Sequence, residues 1–165
     1  MRWYLDTSAA MRLIKREFES TALAERLRAD RPDLISALLL ETELRRAVHR
    51  HELLTQEAVS AFLATLTIYD MPPSLYSEAG LIGGPDLRSL DALHVCAALR
   101  CGATAIVTYD KRMGRAAAVV LCQGEGRGDP FGAEVVRAGQ AASGRRRSSR
   151  PQRPPGRCRR AGAGE

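Results

Sequence analysis

The most constraining stretch of the chain is Arg88 to Met113, RSLDALHVCAALRCGATAIVTYDKRM. Helix-compatible residues run from Ser89 to Arg100, Gly102 follows, and then an apolar β run, Ala105-Ile106-Val107. Ser89 reads as the N-cap of the helix, with Leu90, Leu93, Val95, Cys96 and Ala97 as inward positions. Gly102 reads as the left-handed residue that stops it. A short apolar run without polar alternation is the kind of strand that parallel sheets bury on both faces. A carboxylate stands at each end of the unit: Asp91 in the first turn of the helix and Asp110 just past the strand.

The rest of the chain repeats this alternation. Arg2 to Leu5 (RWYL) reads as a strand, and Asp6-Thr7-Ser8 leads into a helix with Ala9, Leu13 and Ile14 on its apolar side. Asp6 therefore closes a strand and opens a helix, a position suited to a capping aspartate or to a ligand-binding one. A second helix spans Thr21 to Asp30, ended by Pro32 and Asp33, and Leu34-Ile35-Ser36 is a short strand. Further helices are expected from Leu38 to Glu52, from 55 to 66 and from Ser74 to Leu81, with an extended segment at Thr67–Met71 before Pro72-Pro73. After Asp110 comes a last helix to about Ala118, and Val119-Val120-Leu121 is a candidate final strand. Alternating strands and helices imply a parallel sheet, so the expected fold is a three-layer α/β/α arrangement with a mostly parallel central sheet.

Composition divides the chain in two. Residues 1–118 hold 15 of the 25 Lys+Arg and 15 of the 19 Asp+Glu, a balance of zero, so the net charge of +6 comes entirely from the last 47 residues. A basic pI is often a sign of nucleic-acid binding, but here it belongs to the tail and not to the folded body. The expected division is a domain over 1–122 and an Arg/Gly/Pro-rich tail over 123–165. The tail is poor in large apolar residues and is expected to be disordered. No run reaches the roughly 18 to 20 apolar residues that span a bilayer, and no signal peptide opens the chain, so a cytoplasmic location is expected. The four cysteines form no CxxC pair and the three histidines are not at finger spacing from them, which argues against a zinc site.

Four acids stand out by position: Asp6 after the first strand, Glu43 in the third helix, Asp91 at a helix start and Asp110 after the later strand. In a parallel sheet these ends return to one edge. Crowded carboxylates repel unless a hard divalent cation sits among them. Mg²⁺, for which Mn²⁺ can substitute, takes oxygen ligands and neutralises charge on a phosphodiester. Several neighbours carry plainer readings. Glu41 is two residues from Glu43 and points roughly 200° away on a helix, as a surface acid would. Asp86 reads as a turn residue. His94 lies on the Asp91 side of its helix, more as a buried, satisfied histidine than as a proton-transfer group. Arg45 and Arg46 suit a phosphate, a protein partner or merely a solvated face. Lys111, Arg112 and Arg115 follow Asp110, where contacts to a phosphate backbone would need cations.

Taken together, YLDTSA (4–9), ETELRRA (41–47), SLDALHVCAA (89–98) and IVTYDKRM (106–113) resemble the motifs of PIN-domain ribonucleases. Specifically, they resemble the VapC-like toxin half of a type II toxin–antitoxin pair. The resemblance implies a Mg²⁺-dependent endoribonuclease, usually a dimer, restrained by a cognate antitoxin. It makes Asp6 and Asp91 the principal metal ligands, with Glu43 and Asp110 completing the set. It makes Ser8 and Thr108 polar residues at the site. The chain departs from the family after Leu121, where Arg/Gly/Pro-rich sequence replaces an apolar ending. That composition is what a GC-rich gene read out of frame can give, and a basic RNA-binding arm is the functional alternative. Two rival functions remain at this level. One is a receiver-like phosphoryl-transfer module, which fits poorly because Asp91 lies inside a helix. The other is a catalytically impaired PIN-like protein that binds RNA or a partner.

Overall fold

The computed structural model describes residues 1–15, 18–84, 87–120, 127–128 and 134–137. Strand β1 (Arg2–Leu5) leads into α1 (Thr7–Lys15) and α2 (Phe18–Asp30); β2 (Asp33–Ala37) leads into α3 (Leu38–Val48) and α4 (Gln56–Leu63). Strand β3 (Thr67–Tyr69) precedes α5 (Pro73–Ala79) and α6 (Ser89–Arg100), and β4 (Ala105–Thr108) precedes α7 (Lys111–Val120). Two short strands, β5 (Arg127–Gly128) and β6 (Glu134–Arg137), come last.

Strands β3, β2, β1 and β4 lie side by side in that order and are all parallel. The chain moves outward from β1 to β2 and β3, then crosses to the other side of β1 to lay down β4. The C-terminal ends of β1 and β4 thus form the switch point of the sheet, where open α/β folds have room for a ligand. The register pairs Leu5 with Val107, so Asp6 and Thr108 leave the sheet beside each other.

Side-chain alternation separates the layers. Trp3, Leu5, Ala105 and Val107 face one side and pack with Ala9 of α1 and Leu23 of α2. On that side Leu40, Leu44 and Ala47 of α3 bury against Ala10 of α1 and Val59 of α4. Tyr4, Ile35 and Ile106 face the other side, against Leu75 of α5, Val95 and Cys96 of α6, and Met113 and Ala117 of α7. The architecture is the expected three-layer α/β/α fold.

Gly102 stops α6 as expected. Its φ is +64°, its N–H reaches the Leu99 carbonyl, and the Ala103 N–H reaches the Ala98 carbonyl at 3.0 Å. This paired closure satisfies two of the last carbonyls of the helix. Thr55 caps α4 by accepting from the Ala58 N–H at 3.1 Å.

The structure corrects several expectations. Arg88, not Ser89, is the cap residue of α6. Leu90 is exposed, whereas Ala92 and the run His94–Ala98 are buried, because α6 lies between the sheet, α5 and α7 and needs a broad inner face. Helix α3 ends at Val48, four residues short of Glu52. Val119 and Val120 extend α7 rather than forming a strand. The helical spacing of Met113 and Ala117, both buried, carries the helix through them. Finally, the 123–165 segment is not wholly outside the fold: β6 pairs antiparallel with β4, and β5 with β6. Glu134-Val-Val-Arg137 is a short β-branched pair between charges, and the edge of β4 offers backbone groups that need partners. The rest of that segment lies outside the described residues, as do Leu121, Asp86, Cys122 and Cys158.

Candidate active site

At the switch point, Asp6 is the N-cap of α1, and its Oδ1 accepts the Ala9 N–H at 2.8 Å. The Ser8 hydroxyl reaches both of its oxygens at 2.8 Å, and the Thr108 hydroxyl donates to Oδ2 at 2.7 Å. Asp6 is only 4 % exposed. Burial pushes its carboxyl above the ordinary range, against the opposing pull of His94, the Ala9 N–H, Thr108 and Ser8. Asp6 thus caps α1 from a buried position at the switch point. Ser8 also accepts the Tyr109 N–H at 2.7 Å, and Thr108 accepts the Asp110 N–H at 3.0 Å. Two hydroxyls thus tie the end of β1 to the end of β4.

A second cluster joins Thr7, Glu43 and His94. The Nε2 of His94 (α6) meets Glu43 (α3) at 2.7 Å, and its Nδ1 meets the Tyr4 hydroxyl (β1) at 2.9 Å. The Thr7 hydroxyl donates to the same Glu43 oxygen. Burial works to raise the Glu43 pKa, but the His94 and Thr7 bonds and the charge of Arg50 outweigh it, and the net shift is downward. Burial also holds the Tyr4 hydroxyl firmly protonated, its pKa well above the usual tyrosine range.

The other two acids have local partners. Asp91 folds back on its own helix and accepts the Arg88 N–H at 3.3 Å. Asp110 caps α7 through the Arg112 and Met113 N–H groups and pairs with the Arg112 guanidinium at 3.0 Å. The Arg112 side-chain bond, against a smaller effect of burial, holds the Asp110 carboxyl below its ordinary range. Lys111 and Arg115 are exposed beside it.

The structure therefore brings Asp6, Ser8 and Thr108 together, with the Asp110 backbone attached to them. It joins Glu43 to His94, one turn along α6 from Asp91. Arg45 does not join either group. Its guanidinium bonds Glu41, Gln56 and Ser60, which turns it toward α4. Two positions apart on a helix, Glu43 and Arg45 necessarily face different ways. Arg46 is exposed.

The donor set suits a hard cation. Asp6 is a buried carboxylate held by the neutral donors Ser8, Thr108 and the Ala9 N–H, and the nearby acids offer only oxygen. Among the described residues, no three His, Cys, Asp or Glu side chains are gathered as a ready metal cage. Mg²⁺ does not need one, since it commonly takes one or two carboxylates and keeps several waters.

Thr7 and Tyr4 carried signals that the motif pattern passed over. Thr7 follows Asp6 directly, so a helix starting there sets its hydroxyl beside the site. Tyr4 alternates with Trp3 and Leu5, which turns it to the α6 face.

Comparison with known proteins bears on the family and the fold. The PIN domain family matches residues 3–119. Ribonuclease VapC35 of Mycobacterium tuberculosis is 42% identical over 120 residues, covering 69% of this chain and 88% of the relative. Ribonuclease VapC46 of the same species is 36% identical over 116 residues, with the same two coverages. Among solved structures, VapBC2 of Rickettsia felis bound to a promoter DNA fragment aligns with TM-score 0.52 and 24% identity, over 70% of this chain and 92% of that one. The sarcin-ricin loop cleaving toxin VapC20 of M. tuberculosis aligns with TM-score 0.56 and 17% identity, over 69% and 94%. At such identities the two structures speak for the fold alone. The family match and the two ribonucleases go further: this chain belongs to the PIN-domain family, among the VapC ribonucleases.

Proposed function

We propose that the chain is a Mg²⁺-dependent endoribonuclease, the toxin of a VapBC-type toxin–antitoxin module, acting on RNA phosphodiester bonds at the Asp6 edge of the sheet. The observation that carries this is the buried Asp6 carboxylate, held by Ser8, Thr108 and the Ala9 N–H at the switch point. Ionising such a group without a cation is costly, and a divalent cation removes that cost. Asp6 and Asp91 would be the main ligands, with Glu43 and Asp110 as the remaining acids; Mn²⁺ can substitute. The bound ion would make a water more acidic and neutralise charge on the phosphate.

The chain's own residues do the rest. Ser8 and Thr108 fix the Asp6 oxygens. Thr7 and His94 fix Glu43. Lys111 and Arg112 are the cations next to Asp110 that suit an RNA backbone. Arg45, engaged with α4, is left out of the substrate surface. The partners follow from the family: an RNA substrate, a cognate antitoxin protein and a second copy of the chain as a homodimer. The relative crystallised as VapBC2 on promoter DNA supports the antitoxin. No helix of the described residues is long and apolar enough to cross a membrane, and the proposed location is the cytoplasm.

The test is cleavage of a labelled RNA by the wild type, Asp6→Ala and Asp91→Ala. Both variants should fold and fail to cleave, and EDTA should stop the wild type. Among the described residues Asp91 makes only the 3.3 Å cap bond, so its loss should cost less than about 1 kcal/mol of stability. Undiminished cleavage in EDTA or by either variant refutes the proposal.

A further inference from the structure

We propose that His94 is a positioning residue for Glu43: together with Thr7 it holds one carboxylate oxygen, and Tyr4 anchors the ring from behind. The inference rests on the metal-site function just proposed and adds to it a residue outside the four acids. Both bonds fall on the same atom. The Thr7 hydroxyl and His94 Nε2 meet Oε2 of Glu43, whereas Oε1 has no hydrogen bond among the described residues. A glutamate has three side-chain torsions to fix, and ordering them from the free state costs entropy. Two donors on one oxygen meet that cost in advance and leave the other oxygen for a cation or its water. The ring is held as firmly. His94 is 3 % exposed, its Nδ1 lies 2.9 Å from the Tyr4 hydroxyl, and the two rings meet edge to face at 5.7 Å.

A tautomer with its proton on Nε2 satisfies every contact. The carboxylate only accepts, so Nε2–H donates to Glu43, and the Tyr4 hydroxyl donates to Nδ1. Groups placed in this way behind a ligand set its orientation and affinity. The network also spans the layers: Tyr4 is on β1, Thr7 on α1, Glu43 on α3 and His94 on α6. Asp91 lies one turn earlier on α6 than His94, so the ring that orients Glu43 also fixes the helix that carries Asp91.

A buried histidine that only fills space would lower stability when replaced and change nothing else, so the experiment reads more than stability. The full chain is compared as wild type, His94→Leu and His94→Gln. Binding of Mn²⁺ alone is measured by calorimetric titration, RNA cleavage is resolved into kcat and KM, and unfolding is followed by heat. Leucine removes both ring nitrogens, whereas glutamine keeps an amide N–H that can reach Glu43. His94→Leu should weaken Mn²⁺ binding by roughly ten- to a hundredfold and lower kcat with KM little changed. His94→Gln should recover most of both losses. Equal Mn²⁺ affinity in the wild type and a folded His94→Leu overturns the positioning role, even if the variant melts lower. If His94→Leu does not fold, Thr7→Val, which deletes the other donor on Oε2, carries the test: unchanged Mn²⁺ affinity then overturns the proposal. Failure of the parent function looks different. The wild type itself then binds no Mn²⁺ and cleaves RNA equally well in EDTA, and the positioning role falls with it.

Discussion

Replacing Asp6 by Asn should make the protein more stable while abolishing its activity. The carboxylate is buried and its pKa is raised, first by desolvation, so the fold prefers the protonated form. The sign follows from linkage. The stability associated with this group is complete below the unfolded value near pH 4 and is lost as pH rises through the higher folded value. Asparagine never ionises, so the gap between Asp6→Asn and wild type should be small near pH 4 and widen toward neutral pH. Asparagine also remains a good N-cap for α1 and can keep an oxygen on the Ala9 N–H. Alanine cannot. It leaves the Ala9 N–H without its cap, a cost of about 0.5–2 kcal/mol, and the Thr108 hydroxyl without its acceptor, about 1 kcal/mol more. Asp6→Ala should therefore be roughly 1.5–3 kcal/mol less stable than Asp6→Asn.

The assay is urea unfolding of the three proteins between pH 4 and pH 8, with and without Mg²⁺. At ten times its dissociation constant the cation should stabilise the wild type by about 1.4 kcal/mol and leave Asp6→Asn unchanged. Two results would refute the reasoning. One is an Asp6→Asn protein as unstable as Asp6→Ala at neutral pH. The other is a gap to wild type that does not change with pH.

Two further outcomes can be checked in the same way. Asp110 has its pKa lowered, chiefly by the Arg112 side chain, so its contribution is present above about pH 4 and lost as pH falls through the folded value. Asp110→Asn keeps the α7 cap and removes the charge; at neutral pH it should cost no more than about 1 kcal/mol because the pair is part-exposed, and the deficit should vanish in acid. A chain ending at residue 122 loses β6 and leaves the fully buried strand β4 at the sheet edge. It should melt earlier and associate beyond the full-length chain's size in light scattering; equal melting and equal size would show that β6 does not matter.

The layered fold was legible because its signals are local. The apolar run at Ala105–Val107, the left-handed stop at Gly102 and the Asp6 position between strand and helix each follow from a few adjacent residues. Failures came where packing outweighed local pattern. Leu90 has the spacing of an inward residue, yet α6 presents a different and wider face to its neighbours. Val119 and Val120 favour strands, yet the buried spacing of Met113 and Ala117 keeps them helical. The 134–137 strand was invisible against its Gly- and Arg-rich surroundings, since its partner, the edge of β4, exists only once the sheet is assembled.

For the site, the sequence by itself singled out the candidate acids: Asp6, Asp91 and Asp110 near the ends of alternating elements and Glu43 within the third helix, with hydroxyls at Ser8 and Thr108. Residue types and chain order suffice for that, because a parallel sheet returns all its strand ends to one edge. Only the tertiary structure decided how each acid is held. The β1–β4 register puts Thr108 on Asp6, and helix packing puts His94, which is 51 residues away in sequence, on Glu43. Arg45 was turned to α4 by the same packing. Hydrogen-bond partners across such distances depend on the relative placement of whole elements to within a fraction of an ångström, and no local pattern encodes that placement.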